Sequence, residues 1–294
     1  MTPGDVMSGL VATRSVVSAL ACISIAGCSL TTDPRRQQCV KDEDCGAHAS
    51  ELGESTCVNS WCEPEPAWSC LAQSIQANAE AGRFEATLRA EDMVTQQPLS
   101  GVTARLCRKL DVSCDDARRG EAVTDGKGKV QFEVDVEGGD RGFTGYVQFT
   151  RNDLMPGLYF FNPPITSSVD VPQVQLLTPM VAQLLAMQAG ISFMSERGLI
   201  LLRAFDCTDE PVPGVVFEVD DADPNSTAFY SVDGLPSRKA TATDTSGYGG
   251  VINAAPGTIT VKARLAGSRR VISTVSILVK AGAITYSRMV PGGS

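Results

Sequence analysis

The clearest periodicity lies between Lys129 and Val136, where Val130, Phe132, Val134 and Val136 alternate with Gln131, Glu133 and Asp135. A period of two places the first set on one face of a strand and the second on the other, which predicts a half-buried strand. Phe84 to Ala90, Val102 to Cys107 and Tyr146 to Thr150 show similar short runs, and Asp125-Gly126-Lys127-Gly128 supplies a turn ahead of the strongest one. An antiparallel sandwich is expected over residues 67–172. A second set occupies 198–294: Leu199 to Phe205, Val215 to Val219, Gly249 to Asn253, Thr258 to Leu265, Val271 to Val279 and Ile284 to Val290. Within it, Ile259, Val261, Ala263 and Leu265 alternate cleanly.

Between the two sets, over 173–197, the period changes. Thr178-Pro179 offers an N-cap and a first-turn proline, and Gly190 a stop. The helix predicted over Pro179 to Ala189 would be about 16 Å long at 1.5 Å per residue. Met180, Leu184 and Met187, flanked by Val181 and Leu185, form an apolar stripe at helical spacing. This stripe is expected to pack against a sandwich, since so short a helix is marginal alone; the alternative is a partner-binding face.

The two β regions align turn for turn. Pro98-Leu99-Ser100-Gly101-Val102 stands opposite Pro211-Val212-Pro213-Gly214-Val215, and Ala122-Val123-Thr124-Asp125 opposite Ala242-Thr243-Asp244 before Thr245-Ser246-Gly247. An internal repeat of this kind implies two copies of one fold. The order Pro-x-x-Gly-Val, strand, Thr-Asp-x-x-Gly, strand, then Ala255-Pro256-Gly257-Thr258-Ile259-Thr260-Val261 resembles the carboxypeptidase regulatory-like domain, over nearly all of 198–294 and more weakly over 67–172. The resemblance implies transthyretin-like, Ig-like sandwiches and a non-catalytic module. Its motifs are turn chemistry, which specifies fold better than function.

Residues 1–27 hold Arg14 followed by an apolar stretch from Val16 to Ile25, too short to cross a hydrocarbon core of roughly 30 Å. That is the form of a secretory signal. It ends in Ile25-Ala26-Gly27-Cys28, which resembles the lipobox of bacterial lipoproteins. The resemblance implies lipidation of Cys28 and a membrane anchor of acyl chains such as palmitate. Ser29 in the following position implies the outer membrane, and residues 28–38 make a tether with no hydrophobic period.

Removing Cys22 with the signal and Cys28 to lipid leaves eight cysteines, an even number in a compartment where disulfides form. Cys39, Cys45, Cys57 and Cys62 crowd into 39–66, a stretch poor in aliphatic residues that needs cross-links in place of a core. Four cysteines allow three connectivities, and the interleaved one, Cys39 with Cys57 and Cys45 with Cys62, is preferred. A Cys-only zinc site is the rival, opposed by the exported location and the lack of any C-x-x-C. Cys107 and Cys114 would close a short loop, leaving Cys70 and Cys207 to tie the two β regions together.

Composition narrows the chemistry. The 294 residues are 43% apolar, too rich for overall disorder, and carry 34 Asp+Glu against 25 Lys+Arg, a net charge of −9 that disfavours nucleic-acid binding. His48 is the single histidine, so imidazole catalysis and histidine metal centres are poor expectations. No Gly-x-Ser-x-Gly, His-Glu-x-x-His or P-loop occurs. Asp244-Thr245-Ser246-Gly247 resembles an aspartic-protease signature but fits a turn better. Asp220-Asp221-Ala222-Asp223 with Asn225 is expected to be a solvated acidic loop; the competing reading is a calcium loop. Tyr159-Phe160-Phe161, before Pro163-Pro164, either fill a core or stack on a sugar or peptide.

These observations predict a mainly β protein: a signal, a tether, a disulfide-rich segment and two antiparallel sandwiches joined by a short helix. No metal, cofactor or catalytic residue is expected. The expected partners are a membrane, through the lipid on Cys28, and a protein or polysaccharide of the cell envelope. The alternative is a periplasmic enzyme or carbohydrate-processing accessory, which would need Asp220, Asp221 and Asp244 to meet in space; a bare stalk would have no pocket.

Overall fold

The computed structural model describes residues 40–41, 43–45, 55–58, 61–64, 66–72, 81–109, 111–115, 120–136, 142–220, 223–266 and 270–292. The signal, Cys28, the tether, Cys39, His48, Asp221 and the side chain of Cys62 lie outside the described residues. A hairpin, β1 (Ser55–Val58) and β2 (Trp61–Pro64), leads into a 3-10 turn at Pro66–Ala72. The first β region contributes β3 (Gly82–Asp92), β4 (Thr103–Arg108), β5 (Glu121–Val123), β6 (Lys129–Val136), β7 (Gly145–Thr150), β8 (Gly157–Phe160) and β9 (Val169–Leu176). After helix α1 (Pro179–Gln188), the second contributes β10 (Gly198–Ala204), β11 (Val215–Val219), β12 (Thr227–Val232) and β13 (Leu235–Ser237). It closes with β14 (Tyr248–Ala254), β15 (Gly257–Leu265), β16 (Val271–Val279) and β17 (Ile284–Met289).

The sequence repeat is a repeat of topology. In the first region β3 pairs antiparallel with β6 and parallel with β9; in the second β10 pairs antiparallel with β14 and parallel with β17. The facing sheets also match, β4-β7-β8 in one copy and β11-β15-β16 in the other. The turn residues explain why. Thr124 accepts from Val102 N at 3.0 Å and donates to Leu99 O, while Thr243 accepts from Val215 N at 2.9 Å and donates to Val212 O. Each buried hydroxyl thus pins the Pro-x-x-Gly-Val turn of its own copy. Gly128 and Gly247, at φ +72 and +71, bring their carbonyls onto Ala90 N and Ala204 N, both at 2.8 Å. A Cβ at either glycine would sit 2.4 or 2.5 Å from the carbonyl oxygen of the same alanine, so only glycine fits.

The two sandwiches share a sheet. The last strand, β17, lies between β10 and β8 and pairs parallel with both, Tyr286 opposite Leu201 and Tyr159. The result is one nine-stranded sheet, β13-β12-β14-β10-β17-β8-β7-β4-β5, flanked by β6-β3-β9 and β11-β15-β16. Alternation along β8 shows that the flanking sheets sit on opposite faces: Tyr159 joins the core of the first region, Leu158 and Phe160 that of the second. Both β regions are sandwiches, the first running on through β9 to Leu176, past the expected end at 172, but neither has a sheet edge of its own at the joint.

Further ties cross the joint. Cys70 is bonded to Cys207 with Cα atoms 5.7 Å apart, and Cys207 N donates to Ala67 O at 2.8 Å, which fastens the 3-10 turn to the second region. Asn162 Nδ2 donates to Arg288 O at 2.7 Å, Lys280 Nζ to Gln148 Oε1 at 2.7 Å, and the Tyr286 hydroxyl to Gln175 O. Cys107 is bonded to Cys114, Cα atoms 5.2 Å apart, closing the loop after β4.

Helix α1 starts and stops as expected: Thr178 caps Val181 N, and Gly190 at φ +72 donates to Met187 O while Ile191 N reaches Ala186 O. Its orientation corrects the expectation. Ala182 and Ala186 face the protein, while Met180, Leu184 and Met187 are 70%, 53% and 67% exposed. The small alanines line the protein side of the helix, and the large side chains are left outside.

Candidate functional site

The structure distributes the sequence candidates widely. Cys45 and Cys57 are both in disulfides, and Cys57 lies opposite Cys62 in the β1-β2 hairpin. Asp220, next to the end of β11, is paired to Lys262 at 3.0 Å. Asp244 follows Thr243, whose hydroxyl binds the start of β11, and forms a turn with Ser246 N at 2.9 Å. The five-residue strand between them holds these two carboxylates roughly 16 Å apart, so they do not converge. Asp223 pairs with Arg197 and accepts from Asn225 N, which with a second backbone bond holds its carboxyl below the usual range. Among the described residues no group of three or more acidic, Cys or His side chains is placed to hold a metal. Phe160 and Phe161 are core residues. Tyr159 belongs to the core too, but it also lines a cavity.

That cavity is one of two that adjoin at the joint, on the face of the shared sheet away from β11-β15-β16. The first, about 330 Å³, lies beneath α1 and is bounded by Ala182, Leu185, Phe193, Leu199, Phe229 and Ile252. The second, about 270 Å³, lies beside β9 and is bounded by Tyr159, Tyr286, Phe205, Gln173, Arg203 and Arg288. They share Gln175, Leu201 and Tyr248 and so form one cleft with an apolar end and an aromatic, charged end. The sheet register sets its floor in rows: Phe229, Gly250, Leu201, Tyr286 and Tyr159 in one, Tyr248, Arg203 and Arg288 in the next. Gly250 is required for the pairing itself, since a Cβ there would lie 1.9 Å from Ile200 O of the neighbouring strand.

The charged end is built by stacking. The Arg203 guanidinium lies 4.7 Å from the Tyr248 ring centre and 5.3 Å from that of Phe205; Arg288 lies 4.1 Å from Phe205. Arg203 Nε donates to Ser246 O at 3.1 Å, and Ser246 lines the apolar cavity, so this arginine sits where the two cavities meet. Arg288 pairs with Asp209, while its buried Nε has no hydrogen-bond acceptor among the described residues. Burial pushes the Tyr159 phenol up to about 12 and the Tyr286 phenol further, so both are neutral donors at ordinary pH. None of these cleft arginines was a sequence candidate. The legible signal was an arginine at matched places in two apolar strands, Leu199 to Phe205 and Ile284 to Val290.

No protein-family model and no curated protein matches the chain. Solved structures similar to it include the Bacillus anthracis TIE protein, 13% identical with TM-score 0.24, over 72% of this chain and 34% of that one. A Streptococcal ancillary pilin is 14% identical with TM-score 0.23, over 71% of this chain and 62% of that one. The shaft pilin spaA from Lactobacillus rhamnosus GG is 12% identical with TM-score 0.22, over 73% of this chain and 99% of that one. The chain thus spans about a third of the length of the first and under two thirds of the second.

Proposed function

We propose that this protein is a non-catalytic binding or scaffold module of the bacterial cell envelope, anchored to the outer membrane by lipid on Cys28. Its sandwiches resemble carboxypeptidase regulatory-like domains, which implies a role in holding or presenting rather than in chemistry. The observation that carries the reading is the joint. Two copies of one sandwich are fixed to each other by a shared sheet and by the Asn162, Lys280 and Tyr286 hydrogen bonds across it, so the cleft between them has a set shape. At its charged end Arg203 and Arg288 stack on Tyr248 and Phe205, and Arg288 pairs with Asp209. The anchoring part of the proposal rests on Ile25-Ala26-Gly27-Cys28.

Intact-mass analysis of the membrane fraction tests it. The wild-type chain is expected to begin at Cys28 and carry about two or three acyl chains, enough for a stable anchor. Cys28→Ala is expected to lose both the added mass and the membrane association. An unmodified, freely soluble wild-type chain would overturn the anchored reading.

A further inference from the structure

The floor of the cleft contains an electrostatic arrangement that the fold alone does not account for. Arg203 and Arg288 are direct cross-strand neighbours in the parallel β10-β17 pair, and both lean on the Phe205 ring. Like charges placed opposite each other cost stability, and this occurs in a chain whose net charge is −9. One carboxylate, Asp209, answers the pair, and it does so from Arg288's side. Asp170, the cleft's other carboxylate, is exposed at its edge. Among the described residues Arg203 has no carboxylate partner, and Arg288 Nε is buried with no acceptor. Two guanidinium groups with donors to spare therefore face a cavity that adjoins an apolar one of about 330 Å³, within the range of small-molecule sites.

We propose that the cleft binds an amphiphilic organic anion, its apolar body under α1 between Leu199, Phe229 and Ile252, its carboxylate, sulfonate or phosphate head on Arg203 and Arg288. An anionic oxygen there answers the charge that Asp209 leaves unbalanced and separates the two like charges, and guanidinium forks favour such oxygens. Leu177, Leu185, Phe193 and Leu201 complete the apolar lining around the body. The exposed Met180, Leu184 and Met187 lie on the outer side of the same helix, so an apolar ligand approaches over an apolar surface. The inference deepens the reading of the chain as a binding module and rests on it for biological context alone; the binding itself is measurable whether or not Cys28 carries lipid.

The test is fluorescence titration of the full chain, held in lipid nanodiscs where it is lipidated and corrected for empty nanodiscs. The probes are anilinonaphthalene sulfonate and its uncharged counterpart phenylnaphthylamine, which have similar apolar bodies. The sulfonate is expected to saturate one site per chain and to bind at least about tenfold tighter than the neutral probe. Arg203→Gln is expected to erase that preference while leaving the neutral probe unaffected, and Ala186→Phe, which fills the apolar cavity, to abolish both. Equal affinity for the two probes would overturn the proposal, and that wild-type comparison stands even if a variant fails to fold. Unchanged sulfonate binding by an Arg203→Gln chain with native near-ultraviolet dichroism would overturn it as well. Sulfonate binding that persists in Cys28→Ala, beside a failed anchoring experiment, would leave the cleft standing without the membrane.

Discussion

The outer faces of the two equivalent sheets differ in the way that determines the architecture. On β3 and β6 the outward positions include Arg83, Glu85, Gln131, Glu133 and Asp135, all five exposed, and Arg83 bridges Glu133 and Asp135 across the strands. On β10 and β14 the corresponding positions include Leu199, Leu201, Gly250 and Ile252, and every residue of Gly249–Ala254 is buried. The inward positions match closely: Ala86, Leu88 and Ala90 in one copy, Ile200, Leu202 and Ala204 in the other, all at 0% exposure. One face of the repeat is therefore constrained by the sandwich it closes. The other is free to evolve, and in the second copy it has become the surface on which the first sandwich and α1 rest.

That contrast makes the joint the place where the molecule is most easily divided. Replacing Cys70 and Cys207 with Ser removes a cross-link 137 residues apart in sequence and is expected to cost about 4 kcal/mol. Denaturant unfolding would measure it, and the Cys107→Ser, Cys114→Ser pair, which closes a loop of separation 7, is expected to cost less. Gly128→Ala and Gly247→Ala test whether the copies are physically equivalent. Each forces a Cβ against a backbone carbonyl at positive φ, and each is expected to destabilise by about 3 kcal/mol with similar shifts in melting temperature.

Thr124→Val and Thr243→Val sharpen the same comparison at lower energy. Each removes one hydroxyl that accepts from one turn and donates to it, with an expected cost of about 2 kcal/mol. A large inequality between the two would show that the turns are alike in geometry but not in energetic role. The smallest effect belongs to α1: Met180→Ser, Leu184→Ser and Met187→Ser are each expected to change stability by no more than about 0.5 kcal/mol, because these side chains are exposed.

Much of the fold was legible because it is written in turns. Thr-Asp-x-x-Gly and Pro-x-x-Gly-Val carry φ values and hydrogen bonds that nothing else satisfies well, and both copies keep them. The alternation of Lys129 to Val136 gave β6 with the same boundaries as the structure. The shared sheet was harder to see. Its signal is that the core of Gly198–Ala204, Leu199 to Leu202, is apolar on both faces, a sign of a strand covered on both sides, but β17 carries Thr285, Ser287 and Arg288 and gives no such sign. Strand β9 was missed because Pro172 and Gln173 interrupt its valines, and its parallel pairing with β3 joins residues about eighty positions apart. The helix stripe misled because helical spacing shows that a face is apolar without showing which way it points. The cleft belongs to the joint and was hidden with it; only Arg203 and Arg288, lone charges in apolar strands, marked it.

The central claim is that β17 is inserted between β10 and β8. Residue-resolved amide hydrogen exchange measures this directly, since β8 without β17 would be an edge strand with half its amides open to solvent. The account predicts that all amides of Gly157–Phe160, and those of Ile284–Ser287, exchange as slowly as the amides of β10. Rapid exchange at the β8 amides directed away from β7 would contradict it and leave two sandwiches without a shared sheet.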